Sequence, residues 1–175
     1  MQREDIFTIP NILSFARIFL VIPIMYFLSI HENLMTVWFI VLAVIMDSLD
    51  GIIARKTNRI TTLGKILDPL ADKINTAGAF IALAVYQGFP AWIAVVIILR
   101  DVVIIAGAAI AYKHRAIVSA SNRPGKLTVF VITLYGLSYI LRIEQLQFPF
   151  MIVVAIMIIY SIINYAQVLI KKDPK

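Results

Sequence analysis

Four aspartates in two close pairs, Asp47 with Asp50 and Asp68 with Asp72, are the residues of this 175-residue chain whose types and spacing best suit chemistry. Separations of three and four residues place both members of a pair on one face of a helix. Each pair lies at the edge of an apolar run, the first near the end of Met35–Ala54 and the second at the start of Leu67–Tyr86. An aspartate at the centre of a bilayer costs about 2.5–3.5 kcal/mol on insertion scales. Acids kept in such places must therefore be paired, protonated or coordinated to metal. Four carboxylates packed closely repel one another, and one or two divalent cations would relieve that. The chain has no cysteine and this stretch has no histidine, so oxygen-only ligands favour Mg²⁺ or Mn²⁺ over zinc. Gly51 and Ala54 clear a groove beside the first pair, and Gly64 precedes the second. Arg55 and Lys65 flank the region and suit phosphate oxygens. On spacing alone, a second reading stays open, in which these residues make polar contacts between helices.

The elements that must position these acids follow from composition. The chain is 61% hydrophobic and 15% charged, with a mean hydropathy of +0.92. A soluble domain is about 45–50% apolar and about 25% charged, so a small soluble enzyme, a disordered tail and a disulfide scaffold are excluded. Six apolar runs are long enough to consider as spans: Ile9–Ile30, Met35–Ala54, Leu67–Tyr86, Ala91–Tyr112, Leu127–Leu141 and Phe148–Ile170. Spanning segments must satisfy their own backbone, and no alternating strand pattern occurs. The expectation is an all-α polytopic membrane protein of six transmembrane helices, forming one domain over residues 1–175. A short interfacial segment at about 1–8 precedes Pro10, which suits the first turn of a helix. The start lacks a basic region and a small-residue cleavage site, so no removable signal peptide is read.

Charge gives the orientation. Of the 16 basic residues, 12 fall on the side that holds both termini and the second and fourth connectors, whereas the other connectors hold Arg142 alone. Lys and Arg mark the cytoplasmic side, which places both termini and the four aspartates at the inner face of a cytoplasmic membrane. The same basic residues suit anionic lipid headgroups, and no nucleic-acid partner is expected. Trp38 and Trp92 read as interfacial anchors. Ala77-Gly78-Ala79 and Ala106-Gly107-Ala108-Ala109 permit close helix approach.

The aspartate region reads D-x2-D-G-x2-A-R-x8-G-x3-D-x3-D, filled by Asp47, Asp50, Gly51, Ala54, Arg55, Gly64, Asp68 and Asp72. This resembles the signature of the CDP-alcohol phosphotransferase (CDP-alcohol phosphatidyltransferase) family without departure. The run Ile9-Pro10-Asn11-Ile12-Leu13-Ser14 with Arg17 also resembles the way that family opens its first helix. The resemblance implies displacement of CMP from CDP-diacylglycerol by an alcohol. It further implies that Asp47, Asp50 and Asp68 hold metal, while Asp72 contributes to a second ion and acts as general base. Asp50, Gly51, Ala54, Arg55, Thr61 and Gly64 would line the cytidine diphosphate pocket, and similar proteins are homodimers. The chemistry has its own need for such parts. Two ions about 3.5–4 Å apart can clamp the attacking and departing oxygens of an in-line displacement, and a carboxylate must take the proton of the attacking hydroxyl.

For the acceptor, Lys73, Arg100, Arg115, Arg123 and Lys126 are cations suited to a phosphate. Gly125-Lys126-Leu127-Thr128 resembles the phosphatidylglycerophosphate synthase branch, while Arg100-Asp101 resembles the cardiolipin branch, whose acceptor is phosphatidylglycerol. Arg100-Asp101 also reads as an internal salt bridge. The number of cations favours a phosphorylated soluble acceptor such as glycerol 3-phosphate, with phosphatidylglycerol or inositol phosphate as alternatives. A small cation transporter is the rival outside enzymes, since intramembrane carboxylates also mark ion paths. It would spread its charges through the membrane depth, whereas here they gather at one face.

Overall fold

The computed structural model describes residues 9–56, 64–113 and 123–170, and among these it contains seven helices and no strand. They are α1 (Ile9–Phe19), α2 (Val21–Ser29), α3 (Asn33–Lys56), α4 (Gly64–Tyr86), α5 (Ala91–Lys113), α6 (Arg123–Ile140) and α7 (Glu144–Ile170). The expected interfacial segment at 1–8 lies outside the described residues. The first apolar run becomes two helices because of Pro23. A proline has no N–H to give the carbonyl four residues back, and its ring crowds that carbonyl. Four residues before Pro23 is Phe19, where α1 ends. Leu20 alone separates α1 from α2, and its N–H turns back to the Arg17 carbonyl at 3.1 Å. The other helices keep the expected runs with polar extensions. For example, α6 starts at Arg123-Pro124, where proline is tolerated in a first turn.

Asn11–Ser29 and Glu144–Asn164 are long and apolar enough to cross a membrane, and Asn33–Leu49 and Gly125–Ile140 are shorter apolar helices. Large apolar side chains point outward along the molecule, among them Ile22, Trp38, Val85, Trp92 and Phe148. A water-facing monomer rarely exposes so much apolar surface.

The chain divides into two compact units, Met1–Gly88 and Phe89–Lys175. In the first unit α1 and α2 pack against both α3 and α4. Successive contacts set the directions. Phe39 stacks on Phe27 with ring centroids 5.4 Å apart, and Asp47, further along α3, reaches Arg17 of α1. Helix α3 therefore runs antiparallel to α1 and α2. On α4, Asn75 bonds the Arg17 carbonyl, and Gln87, just beyond the helix, bonds the Leu28 carbonyl at 3.2 Å. Helix α4 therefore runs parallel to α1 and α2. Gly78 makes the expected close approach, because a Cβ there would land on the Val21 side chain of α2.

In the second unit α6 packs on α7, and α5 packs on α7. Its core includes Ile97, Ile132, Tyr135, Val154 and Ile158. Phe89 lies 4.9 Å, ring centroid to ring centroid, from both Tyr135 and Tyr139. At that spacing, tilted and edge-on rings pack favourably.

Candidate active site

The opposed directions of α3 and α4 bring the aspartates to one end of the first unit. Asp47 of α3 and Asn75 of α4 both bond Arg17, so they share a level along α1. From that level Asp50 is three residues onward along α3, and Asp72 is three residues back along α4. Since the helices are antiparallel, both steps go the same way, by about 4.5 Å at 1.5 Å per residue. Asp68 lies one turn further again. All four backbone positions thus occupy the common end that leads to Lys56 on α3 and Gly64 on α4.

Two of the carboxylates are described, and both are open. The Asp47 and Asp72 side chains are 59% and 52% exposed. Asp47 accepts from Arg17 Nη1, and Asp72 lies 3.3 Å from Lys73 Nζ. Each described acid has thus drawn a cation to itself. The donor set fits a hard divalent ion: carboxylate oxygens from two helices at one end, with no sulfur or imidazole among them. The side chains of Asp50 and Asp68 lie outside the described residues, and among the described side chains no group of three potential metal ligands forms.

Alongside the acids α1 carries a buried polar layer. Asn11, Ser14 and Arg17 recur every three residues on α1 and are 3%, 0% and 2% exposed. That spacing keeps them on one face, and α3 and α4 are the helices packed on α1. Asn75 completes the layer, donating 2.7 Å to the Arg17 carbonyl and 3.0 Å to the Ala71 carbonyl. Asn75 lies outside the aspartate motif that marks the site in the sequence. Its signal was available: a polar residue in an apolar run, three after Asp72 and seven after Asp68, hence on their face of the helix.

Gly51 lies inside α3, where a glycine needs a packing or ligand reason. Gly64 instead opens α4, where that penalty does not apply. Thr61 and Arg115 lie outside the described residues, as do the side chains of Ala54, Arg55 and Arg123. Of the acceptor candidates, Lys73 belongs to the first unit, and Arg100 and Lys126 belong to the second. Arg100 is buried. Its Nη1 donates to Asp101 at 2.7 Å and its Nη2 to Ser161 of α7 at 3.0 Å, so the internal salt bridge is present. A Cβ on Gly125 would sit 3.9 Å from Arg100 Nη2, which brings the start of α6 to the same guanidinium. Lys126, next in sequence, is exposed.

Helices alone among the described residues and an exposed apolar surface mark a membrane-associated protein, with aspartates gathered at one helix end. Comparison with known proteins gives the family. The chain belongs to the CDP-alcohol phosphatidyltransferase family, which it matches over residues 7–166. It is similar to the CDP-diacylglycerol–glycerol-3-phosphate 3-phosphatidyltransferase of Aquifex aeolicus, 35% identical over 146 residues that cover 80% of each chain. The enzyme of the same name from Bacillus subtilis is 35% identical over 117 residues, 63% of this chain and 58% of that one. The cardiolipin synthase (CMP-forming) of Homo sapiens is 41% identical over 105 residues, 59% of this chain and 35% of that one.

Proposed function

We propose that the chain moves a phosphatidyl group from CDP-diacylglycerol to glycerol 3-phosphate and releases CMP. The observation that carries this reading is the convergence of the aspartate motif at one end of α3 and α4, with Asp47 and Asp72 open beside it. The names of the relatives, two of them glycerol-3-phosphate phosphatidyltransferases, support the donor and the acceptor.

The residues divide the work. The acceptor hydroxyl attacks the phosphorus that carries the diacylglycerol, forming a new P–O bond. The P–O bond to the CMP phosphate breaks, and its electron pair leaves on the CMP oxygen. The hydroxyl proton passes to the Asp72 carboxylate, which must stand within hydrogen-bond reach of it. Asp47, Asp50, Asp68 and Asp72 would hold Mg²⁺ or Mn²⁺, which when bound neutralises charge on the diphosphate. Gly51, Ala54, Arg55, Thr61 and Gly64 line the cytidine diphosphate pocket with Asp50, the small residues leaving room and Arg55 meeting phosphate oxygens. Lys73, Arg100, Arg115, Arg123 and Lys126 are the cations offered to the acceptor phosphate. Arg100 already serves Asp101 and Ser161 and Lys73 stands beside Asp72, whereas Lys126 is exposed.

Six membrane spans, with α1 and α2 together forming the first, put this chemistry at the inner face of a cytoplasmic membrane. There the diacylglycerol chains stay in lipid while nucleotide and acceptor arrive from the cytoplasm. Residues 1–175 act as one catalytic domain, in keeping with a family match that runs across both units, and the protein works as a homodimer. Similarity to a cardiolipin synthase favours a second reading, with phosphatidylglycerol as acceptor. An acceptor panel separates them: CMP release from CDP-diacylglycerol is measured with glycerol 3-phosphate, phosphatidylglycerol, inositol phosphate and serine in turn. Glycerol 3-phosphate is expected to give the fastest release, and faster release with phosphatidylglycerol would reassign the acceptor.

A further inference from the structure

Arg17 is a buried cation that the reaction above does not use. Its side chain is 3% exposed, yet the Asp47 side chain it bonds is 59% exposed. A pair that serves packing alone would close both partners away from solvent, as Arg100 and Asp101 do at 3% and 11%. Here the cation is closed in and the acid is open. The main chain of Arg17 is also held. Its carbonyl accepts from Leu20 N at the break between α1 and α2, and from Asn75 Nδ2 at 2.7 Å. Asn75 belongs to α4, the helix that carries Asp72, so Arg17 is tied to both halves of the motif.

We infer that Arg17 is a positioning residue: it holds Asp47 by one carboxylate oxygen and leaves the other aimed at a divalent cation. A free aspartate must give up rotamer freedom when it takes a ligand, and a partner that fixes it beforehand removes that cost. Loss of such an outer partner weakens metal binding by about 10–100-fold in typical sites. The positive charge of Arg17 opposes an incoming cation, but at a carboxylate this open the repulsion is screened, while the gain in orientation is not. The expected sign is therefore weaker binding when Arg17 is removed.

The inference rests on the reading that the motif aspartates hold a divalent cation, and its test separates the two. Mn²⁺ binding to the purified full chain in detergent micelles is followed by the electron paramagnetic resonance signal of free Mn²⁺. The proteins compared are the unaltered chain, Arg17→Gln, Arg17→Lys, Asp47→Asn and the double variant Arg17→Gln with Asp47→Asn, each with its melting temperature. Arg17→Gln is expected to raise the Kd by about tenfold or more. Arg17→Lys raises it by a smaller factor, since an ammonium on a flexible stem lacks the planar fork. Once Asp47→Asn is present, Arg17→Gln adds nothing further, because Arg17 acts through Asp47. An unchanged or tighter Kd in Arg17→Gln, or additive losses in the double variant, overturns the inference. If Arg17→Gln fails to fold, Arg17→Lys, which keeps the charge, decides: an unaltered Kd there overturns it. Absence of Mn²⁺ binding by the unaltered chain, or unaltered binding by Asp47→Asn, overturns the metal reading and the inference with it.

Discussion

The two units each bury an arginine in an apolar helix and give it an aspartate, but they do so in opposite ways. In the second unit Arg100 pairs with its own neighbour Asp101, both are buried, and Ser161 takes another guanidinium nitrogen. In the first unit Arg17 reaches across to another helix and meets an acid that is more than half open. Removing charges from water is unfavourable unless their geometry compensates. The Arg100 pair therefore reads as a self-contained solution that makes a charge tolerable. The Arg17 pair leaves a carboxylate on the outside, at the end of the unit where three more aspartates gather. On the proposed reading, the same two residue types serve stability in one unit and a ligand in the other. What separates them is the exposure of the acid.

The largest effect is expected at the proposed base. Asp72→Asn should lower CMP release by about 10²–10⁴-fold, whereas Asp101→Asn should keep most of the activity per folded molecule. Equal losses in the two would break the contrast between the units. Stability should run the other way. Asp101→Asn leaves a buried cation without its counter-charge and should cost about 3–5 kcal/mol, read as a fall in melting temperature. Asp47→Asn likewise takes a counter-charge from a buried guanidinium, that of Arg17, and should cost up to about 3–5 kcal/mol as well. A smaller loss is expected from Ser161→Ala, about 1.5–3 kcal/mol for a hydrogen bond to a charged group, with the metal dependence of activity unchanged. The smallest is Gln87→Ala, at the far end of the first unit, where the amide bonds the Leu28 carbonyl and Asn33 Oδ1. It should cost about 0.5–1.5 kcal/mol and leave Mn²⁺ binding as it was. A changed metal affinity there would mean that the site is not confined to the end that holds the aspartates.

Much of this was legible in the sequence, for local reasons. Apolar runs had to be helices, and their cores coincide with α3 to α7. Hydropathy trims polar helix ends, so the last apolar run starts at Phe148 although α7 begins at Glu144, an acid well placed in a first turn. The break at Leu20 is legible in principle from Pro23, but hydropathy shows only one continuous apolar run there. The aspartate spacing placed each pair on a face, and antiparallel packing of α3 and α4 was the further step that joined the pairs. What spacing could not show was the choice of partners. Arg17 with Asp47 and Arg100 with Ser161 are separated by 30 and 61 residues, and such pairings are set by helix register in three dimensions. Asn75 shows in the sequence only as a polar residue in an apolar run on the aspartate face; its bond to the carbonyl of a residue on another helix does not.

The metal-dependent displacement of CMP proposed for the open aspartates of the first unit is open to direct measurement. Its most direct test is a metal titration of CMP release from CDP-diacylglycerol, with glycerol 3-phosphate present, by the purified chain. No release is expected in excess chelator, with recovery on adding Mg²⁺ or Mn²⁺ and no comparable recovery in Asp72→Asn. Full release in chelator, or full recovery in Asp72→Asn, would contradict it.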